Sequence, residues 1–178
     1  MKILIITVLL ISFGYNQVSQ EVNMDEFTLS TRAFGNGDAI PGQYTCEGKD
    51  ISPSLIWDNV PENTKSFVLT CVDPDAPMGD WIHWIVWDIP PDWKNLPENI
   101  QGTNKDQFVQ GTNSWGRIGY GGPCPPHGHG AHRYYFTIYA LDKSSLELTS
   151  EVRLPGLKDK LADHILGQAL IMGRYERK

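Results

Sequence analysis

The sequence predicts a mainly β protein, a single antiparallel β-sandwich domain, on three observations. Short runs rich in β-branched and aromatic residues recur along the chain, turns built on glycine and proline separate them, and only one segment carries a convincing helical period. Helices do not alternate with the strands as they would in a parallel sheet with crossovers. At 178 residues the chain has the length of one domain with a sizeable core.

The first 20 residues read as a leader rather than as part of that domain. Lys2 precedes an apolar run from Ile3 to Phe13, with small and polar residues then reaching Gln20. Such a run is too short to span a bilayer and suits a secretory signal. The expectation is a signal peptide over 1–20, cut near Val18-Ser19-Gln20, and a folded domain over 21–178. The protein is then exported, periplasmic or secreted, with no stable membrane insertion after cleavage.

Strands are predicted at Phe27–Ser30, Leu55–Trp57, Ser66–Val72, Ile82–Ile89 and Tyr134–Leu141. Turns fall between them at Gly35-Asn36-Gly37, Pro41-Gly42, Glu47-Gly48-Lys49-Asp50, Pro90-Pro91 and Gly121-Gly122. The helix is expected from Leu157 to Met172, where Leu161, Ile165, Ala169 and Met172 share a face. Gly167 and Gly173 lower its propensity, so packing on the sandwich must hold it.

Removing the leader takes one lysine and no acid from 15 basic and 21 acidic residues, leaving 14 against 21 and a net charge of −7. An acidic chain without a basic cluster argues against nucleic acid and against adsorption to anionic membranes. Cysteine is present three times, so at least one thiol stays unpaired within a monomer. Cys71 lies inside a strand and reads as a small core residue. Cys46 and Cys124 lie in turn-rich segments and are the better disulfide candidates.

The segment Pro123-Cys124-Pro125-Pro126-His127-Gly128-His129-Gly130-Ala131-His132-Arg133-Tyr134 is a stiff, specifically shaped loop that runs into the last predicted β run. Strand parity adds further polar groups. Asp73 continues the stripe Phe67, Leu69, Cys71. His83 shares its predicted face with Ile85, Trp87 and Ile89. His132 and Tyr134 lead into Phe136 and Ile138. Three polar groups, Asp73, His83 and His132, thus each end an apolar stripe, and their convergence would make a small polar pocket with an apolar floor. His164, near the apolar face of the predicted helix, is expected to be structural.

Other chemistries compete for the same loop. Cys124, His127, His129 and His132 can be read as a zinc cluster of a metal-dependent hydrolase, although Cys-x2-His-x-His-x2-His matches no standard structural zinc signature. Cys124 can also be read as the nucleophile of a thiol enzyme. No nucleophile elbow, Walker loop or His-Glu-x-x-His helix is present, so a binding protein without catalytic residues, metal or cofactor is the preferred reading over an enzyme.

Four segments in order resemble the phosphatidylethanolamine-binding proteins, also called Raf kinase inhibitor-like proteins, and their bacterial branch in particular. These are Tyr44-Thr45-Cys46-Glu47-Gly48 with Ser52-Pro53-Ser54-Leu55-Ile56-Trp57, Asp73-Pro74-Asp75-Ala76-Pro77 with His83-Trp84, Gly121-Gly122-Pro123-Cys124-Pro125-Pro126 with His132-Arg133-Tyr134, and His164-Ile165-Leu166-Gly167-Gln168-Ala169. The resemblance implies two antiparallel sheets with short peripheral helices, including one near the C-terminus. It further implies a pocket for phosphate-like anions, among them the phosphoethanolamine headgroup, with Asp73, Asp75, His83, His132 and Tyr134 at pocket positions and Gly122 and Pro123 in the wall. Inhibition of a protein kinase or a protease is a further activity that relatives imply; cytosolic kinases are not met by an exported protein. His127 and His129 fall outside the family pattern. In such a pocket a histidine charged near neutral pH would offset the aspartates, and a zwitterion would set its phosphate against the imidazoles and its ammonium against an aspartate.

Overall fold

The computed structural model describes residues 26–102 and 107–178, so the predicted leader lies outside the described residues. Two antiparallel sheets form. The smaller has β1 (Thr28–Ser30), β2 (Leu55–Asp58) and β5 (Asn95–Leu96) in the order β1-β2-β5. The larger has β3 (Ser66–Asp73), β4 (Trp81–Ile89), β6 (Val109–Gln110), β7 (His132–Leu141) and β8 (Ile165–Tyr175) in the order β6-β4-β3-β7-β8. All five predicted strands are present.

Because β3 is buried on both faces, the large sheet is covered twice. Toward the small sheet, Phe67, Leu69, Cys71, Trp84, Val86, Tyr134, Phe136 and Ile138 pack with Leu55, Trp57 and Leu96. On the opposite face, Val68, Ile82, Ile85 and Trp87 pack beneath Leu154, Leu157 and Leu161 of α1 (Leu154–Leu161). These leucines recur at helical spacing, which is why this short stretch is a helix.

The helix predicted over Leu157–Met172 is corrected: it ends at Leu161, and Ile165–Tyr175 forms the longest strand, paired with β7 from Leu141↔Ile165 to His132↔Tyr175. Ala169, Ile171 and Gly173 face inward while Gln168, Leu170 and Arg174 face out, an alternation of period two. Gly173 is needed there, because a Cβ would meet Ile40 and Phe34 at 2.5 and 2.9 Å. The apolar residues also match a helical period by chance, and pairing along β7 decides between the two.

The predicted face of His83 is corrected too. Cys71 pairs with Trp84 but Val72 pairs with Ile82, so His83 is the extra residue of a β-bulge. A second irregularity lies between Val86 and Ile89, where Asp88 has φ 55°. These breaks send Ile85 and Trp87 to the face beneath α1, while Ile89 stays in the inter-sheet core. His83 thereby leaves that stripe and joins Asp73.

Candidate functional site

At one end of the large sheet a cavity of about 250 Å³ is lined by Asp73, His83 and His132. Its walls are apolar: Ala76, Pro77, Met78 and Trp81 on one side, with Trp115, Cys124, Pro125 and Pro126 completing the rim. The three polar residues come from the end of β3, the bulge of β4 and the start of β7. Each is no more than 3 % exposed, so its hydrogen bonds matter.

Nδ1 of His132 lies 2.8 Å from a carboxylate oxygen of Asp73, whose other oxygen accepts the backbone N–H of Asp75 at 2.8 Å. Nδ1 of His83 lies 2.6 Å from the carbonyl oxygen of Gly121, and the Gly121 N–H donates back to the His83 carbonyl at 2.9 Å. A carbonyl only accepts, so Nδ1 of His83 carries a proton. On both imidazoles this leaves Nε2 as the nitrogen for a ligand. Burial drives the His83 pKa down to about 4, against the Gly121 carbonyl and the Asp73 charge, which raise it. His83 is therefore neutral near neutral pH, which corrects the expectation that it supplies a positive charge to an anion.

The other expected site residues stand behind the cavity surface. Tyr134 is fully buried and packs edge-on against His83 with ring centroids 5.0 Å apart; its hydroxyl has no hydrogen-bond partner among the described residues. Burial, reinforced by the Asp73 charge, pushes that phenol far above its ordinary range, so it keeps its proton and is a donor. Gly122 donates its N–H to Asp50 at 2.6 Å, and the Pro123 carbonyl accepts the Cys46 N–H at 3.1 Å. Asp75 turns away: its carboxylate takes two bonds from the Arg133 guanidinium, at 2.6 and 2.9 Å, and one from the Arg133 backbone. The guanidinium holds the Asp75 pKa down near 2. Asp75 thus ties the turn after β3 to the start of β7, and Asp73, not Asp75, lines the cavity.

Cys46 and Cys124 form a disulfide with Cα atoms 5.5 Å apart, while Cys71 is free and buried. The disulfide ties the Cys124-Pro125-Pro126 wall to the turn after Tyr44. It also occupies the sulfur that both the zinc and the thiol-nucleophile readings need. Among the described residues no three histidine, cysteine, aspartate or glutamate side chains are arranged to hold a metal ion. His127 bonds the Lys178 carbonyl at 2.9 Å, and the His129 ring lies 5.8 Å from that of His132. His164 sits in the turn before β8, partly exposed, with Nδ1 2.9 Å from Asp142 rather than on an apolar helix face.

Sequence reasoning missed the aromatic rim. Trp81 and Trp115 meet edge to face at 5.4 Å, and Trp115 also stands edge-on to His83 at 4.9 Å. Met78 is 88 % exposed beside them. A tryptophan in the turn Asn113-Ser114-Trp115-Gly116 was the available signal, since turns seldom bury so large a side chain.

Comparison with known proteins agrees with this fold. The UPF0098 protein of Aquifex aeolicus is 49% identical over 148 residues, covering 83% of this chain and 86% of its own. The structure of a phosphatidylethanolamine-binding protein homologue from Chlamydia trachomatis superposes with TM-score 0.78 at 42% identity, over 86% of this chain and 99% of that one. Escherichia coli YbcL, described as a member of the mammalian family, superposes with TM-score 0.79 at 34% identity and the same coverage. The model of the phosphatidylethanolamine-binding protein family matches residues 30–176, and this chain belongs to that family.

Proposed function

We propose that this protein is a binding protein for a small phosphate-bearing ligand of the phosphoethanolamine type. The observation that carries the reading is the meeting of the Asp73–His132 pair with His83 inside an otherwise apolar cavity. Few polar groups converging in an apolar recess is the usual composition of a ligand site. The cavity, about 250 Å³, suits a headgroup and not a whole lipid. Phosphate oxygens are placed against Nε2 of His83 and His132. An ammonium is taken to sit near Asp73, the aspartate that lines the cavity, with Trp81 beside it. Family membership and likeness to YbcL support the reading. The disulfide suits an oxidising compartment and supports export.

Calorimetric titration with phosphoethanolamine and inorganic phosphate tests this. Saturable binding that weakens at least tenfold in His132→Ala is expected. Equal binding by that variant, with its fold intact by circular dichroism, would place the ligand elsewhere.

A further inference from the structure

Resting on the reading of this cavity as a phosphate site, we propose that His83 makes it selective for anions that bring their own proton, phosphomonoesters over phosphodiesters. The reciprocal bonds with Gly121 fix both the rotamer and the tautomer of His83. With the proton on Nδ1, neutral His83 offers Nε2 as an acceptor. A bare anionic oxygen placed there meets a lone pair. A singly protonated phosphomonoester instead donates its P–O–H to Nε2 and keeps its remaining oxygens for the other donors of the site. The proton stays between phosphate oxygen and nitrogen, so no outside proton is taken up. A phosphodiester has no such proton, and it binds only after His83 has been protonated from solvent.

The surroundings of His83 resist that protonation. Trp115 and Tyr134 pack on its ring, and this burial outweighs the Gly121 and Gly122 backbone groups, which favour the charged form. The charges that reach it, Asp73 on β3 and Asp50 in the turn after Tyr44, also favour the charged form, but each is already engaged. Asp73 is itself paired with His132. Asp50 is engaged by the Gly122 N–H and, at 3.6 Å, by Arg117. Tyr134 keeps its proton and adds no charge. With the imidazole held well below its ordinary value by burial and the second ionisation of a phosphomonoester near 6, the monoester is favoured by about tenfold or more at pH 5.5, and by more at pH 7.5. An intact membrane phospholipid is a diester, so this selectivity points to soluble monoesters as the preferred source of the headgroup.

The test is calorimetry on the full domain with phosphoethanolamine, glycerophosphoethanolamine and sulfate, in two buffers of different ionisation enthalpy at pH 5.5 and 7.5. At pH 5.5 the monoester is expected to bind with near-zero proton uptake, and the diester and sulfate, more weakly, with uptake near one. At pH 7.5 all three take up about one proton. His83→Gln, whose amide donates at any pH, brings the ratio of monoester to diester affinity toward one. If that variant does not fold, the proton counts of the native protein decide alone. Equal affinities and equal proton counts for the three probes overturn the selectivity and leave the phosphate site standing. Binding of none of them removes the site and the selectivity together.

Discussion

His132 and Asp73 form a buried ion-pair geometry, with Nδ1 2.8 Å from Oδ2 and each side chain 4 % exposed. β3 and β7 run antiparallel and side by side, so their ends lie at the same edge of the sheet and bring the two residues together across 59 positions of sequence. Removing one partner of such a pair leaves the other buried without its bond, which costs about 3–5 kcal/mol. His132→Ala should destabilise the domain by about 3 kcal/mol, and Asp73→Asn/His132→Ala should recover much of that because the carboxylate charge goes as well. Urea unfolding of the four corners of this cycle measures the coupling. Simple additivity would show that the pair is not a unit.

The depressed pKa of His83 predicts an acid-sensitive fold. Unfolded, the imidazole binds a proton below about 6.5; folded, it resists down to about 4. Between these values the unfolded chain holds more protons, so stability rises with pH. The contribution is complete above the unfolded value and is lost as pH falls through 4, a change of about 3 kcal/mol. Denaturation midpoints measured from pH 7 to pH 4 should fall accordingly in the native protein. In His83→Gln that part of the slope should vanish; an unchanged slope would assign it to the carboxylates.

Gly122 is a close-approach glycine, and its φ is not positive. A Cβ there would press on the Tyr44 carbonyl oxygen and come within 2.8 Å of Thr45 Cα and the Asp50 carboxylate. Backbone atoms cannot yield as a side-chain tip can, so Gly122→Ala should separate the loop from the turn after Tyr44, at a cost of about 1–3 kcal/mol. Gly79→Ala is the comparison. Its neighbourhood is open but its φ is +91°, so it tests backbone strain instead of space. Thermal melts together with phosphate titration separate the two: Gly122→Ala should also weaken binding, because its loop forms the cavity wall.

The strands and the pocket floor were legible in the sequence for a common reason. Asp73 and His132 end stripes that keep strict alternation, and alternation is a local property of the chain. His83 reaches the cavity by a route the alternation does not give, because the bulge at His83 and the irregularity near Asp88 depend on what β3 offers opposite them. β8 was misread because its apolar residues satisfy both periods, and only its partner, β7, selects one. Asp75 looked equal to Asp73 in Asp73-Pro74-Asp75. It points elsewhere because Arg133, 58 residues away, captures it. The aromatic rim was only half legible for the same reason: the turn tryptophan Trp115 is a local signal, but it meets Trp81 only when the hairpin around Asn113 folds back over β4.

The disulfide should support both stability and the site. Its residues are 78 positions apart, and closing a loop of that length in the unfolded chain is worth about 4 kcal/mol. Cys46→Ala/Cys124→Ala should lower stability by about that amount and free the Cys124-Pro125-Pro126 wall. Phosphate affinity measured well below the melting temperature should fall as well. Unaltered affinity would mean that the hydrogen bonds of Pro123 and Gly122 alone hold the wall.

The hydroxyl of Tyr134 offers the sharpest separation of function from stability. It is buried without a hydrogen-bond partner among the described residues, beside His83, and it keeps its proton because burial and the Asp73 charge oppose ionisation. A buried donor left unpaired costs more than an apolar atom in its place. Tyr134→Phe should therefore raise the stability of the ligand-free domain by about 1 kcal/mol, and, on the proposal that a bound phosphate draws this hydroxyl into the site, lower the affinity for phosphate. His83 keeps its ring contact with the phenyl group, so any loss of affinity belongs to the hydroxyl and not to repacking. Thermal melts with and without saturating phosphate give both numbers in one experiment. A variant that loses stability without ligand and binds phosphate as the native protein does would show that the hydroxyl is paired in solution and takes no part in the site.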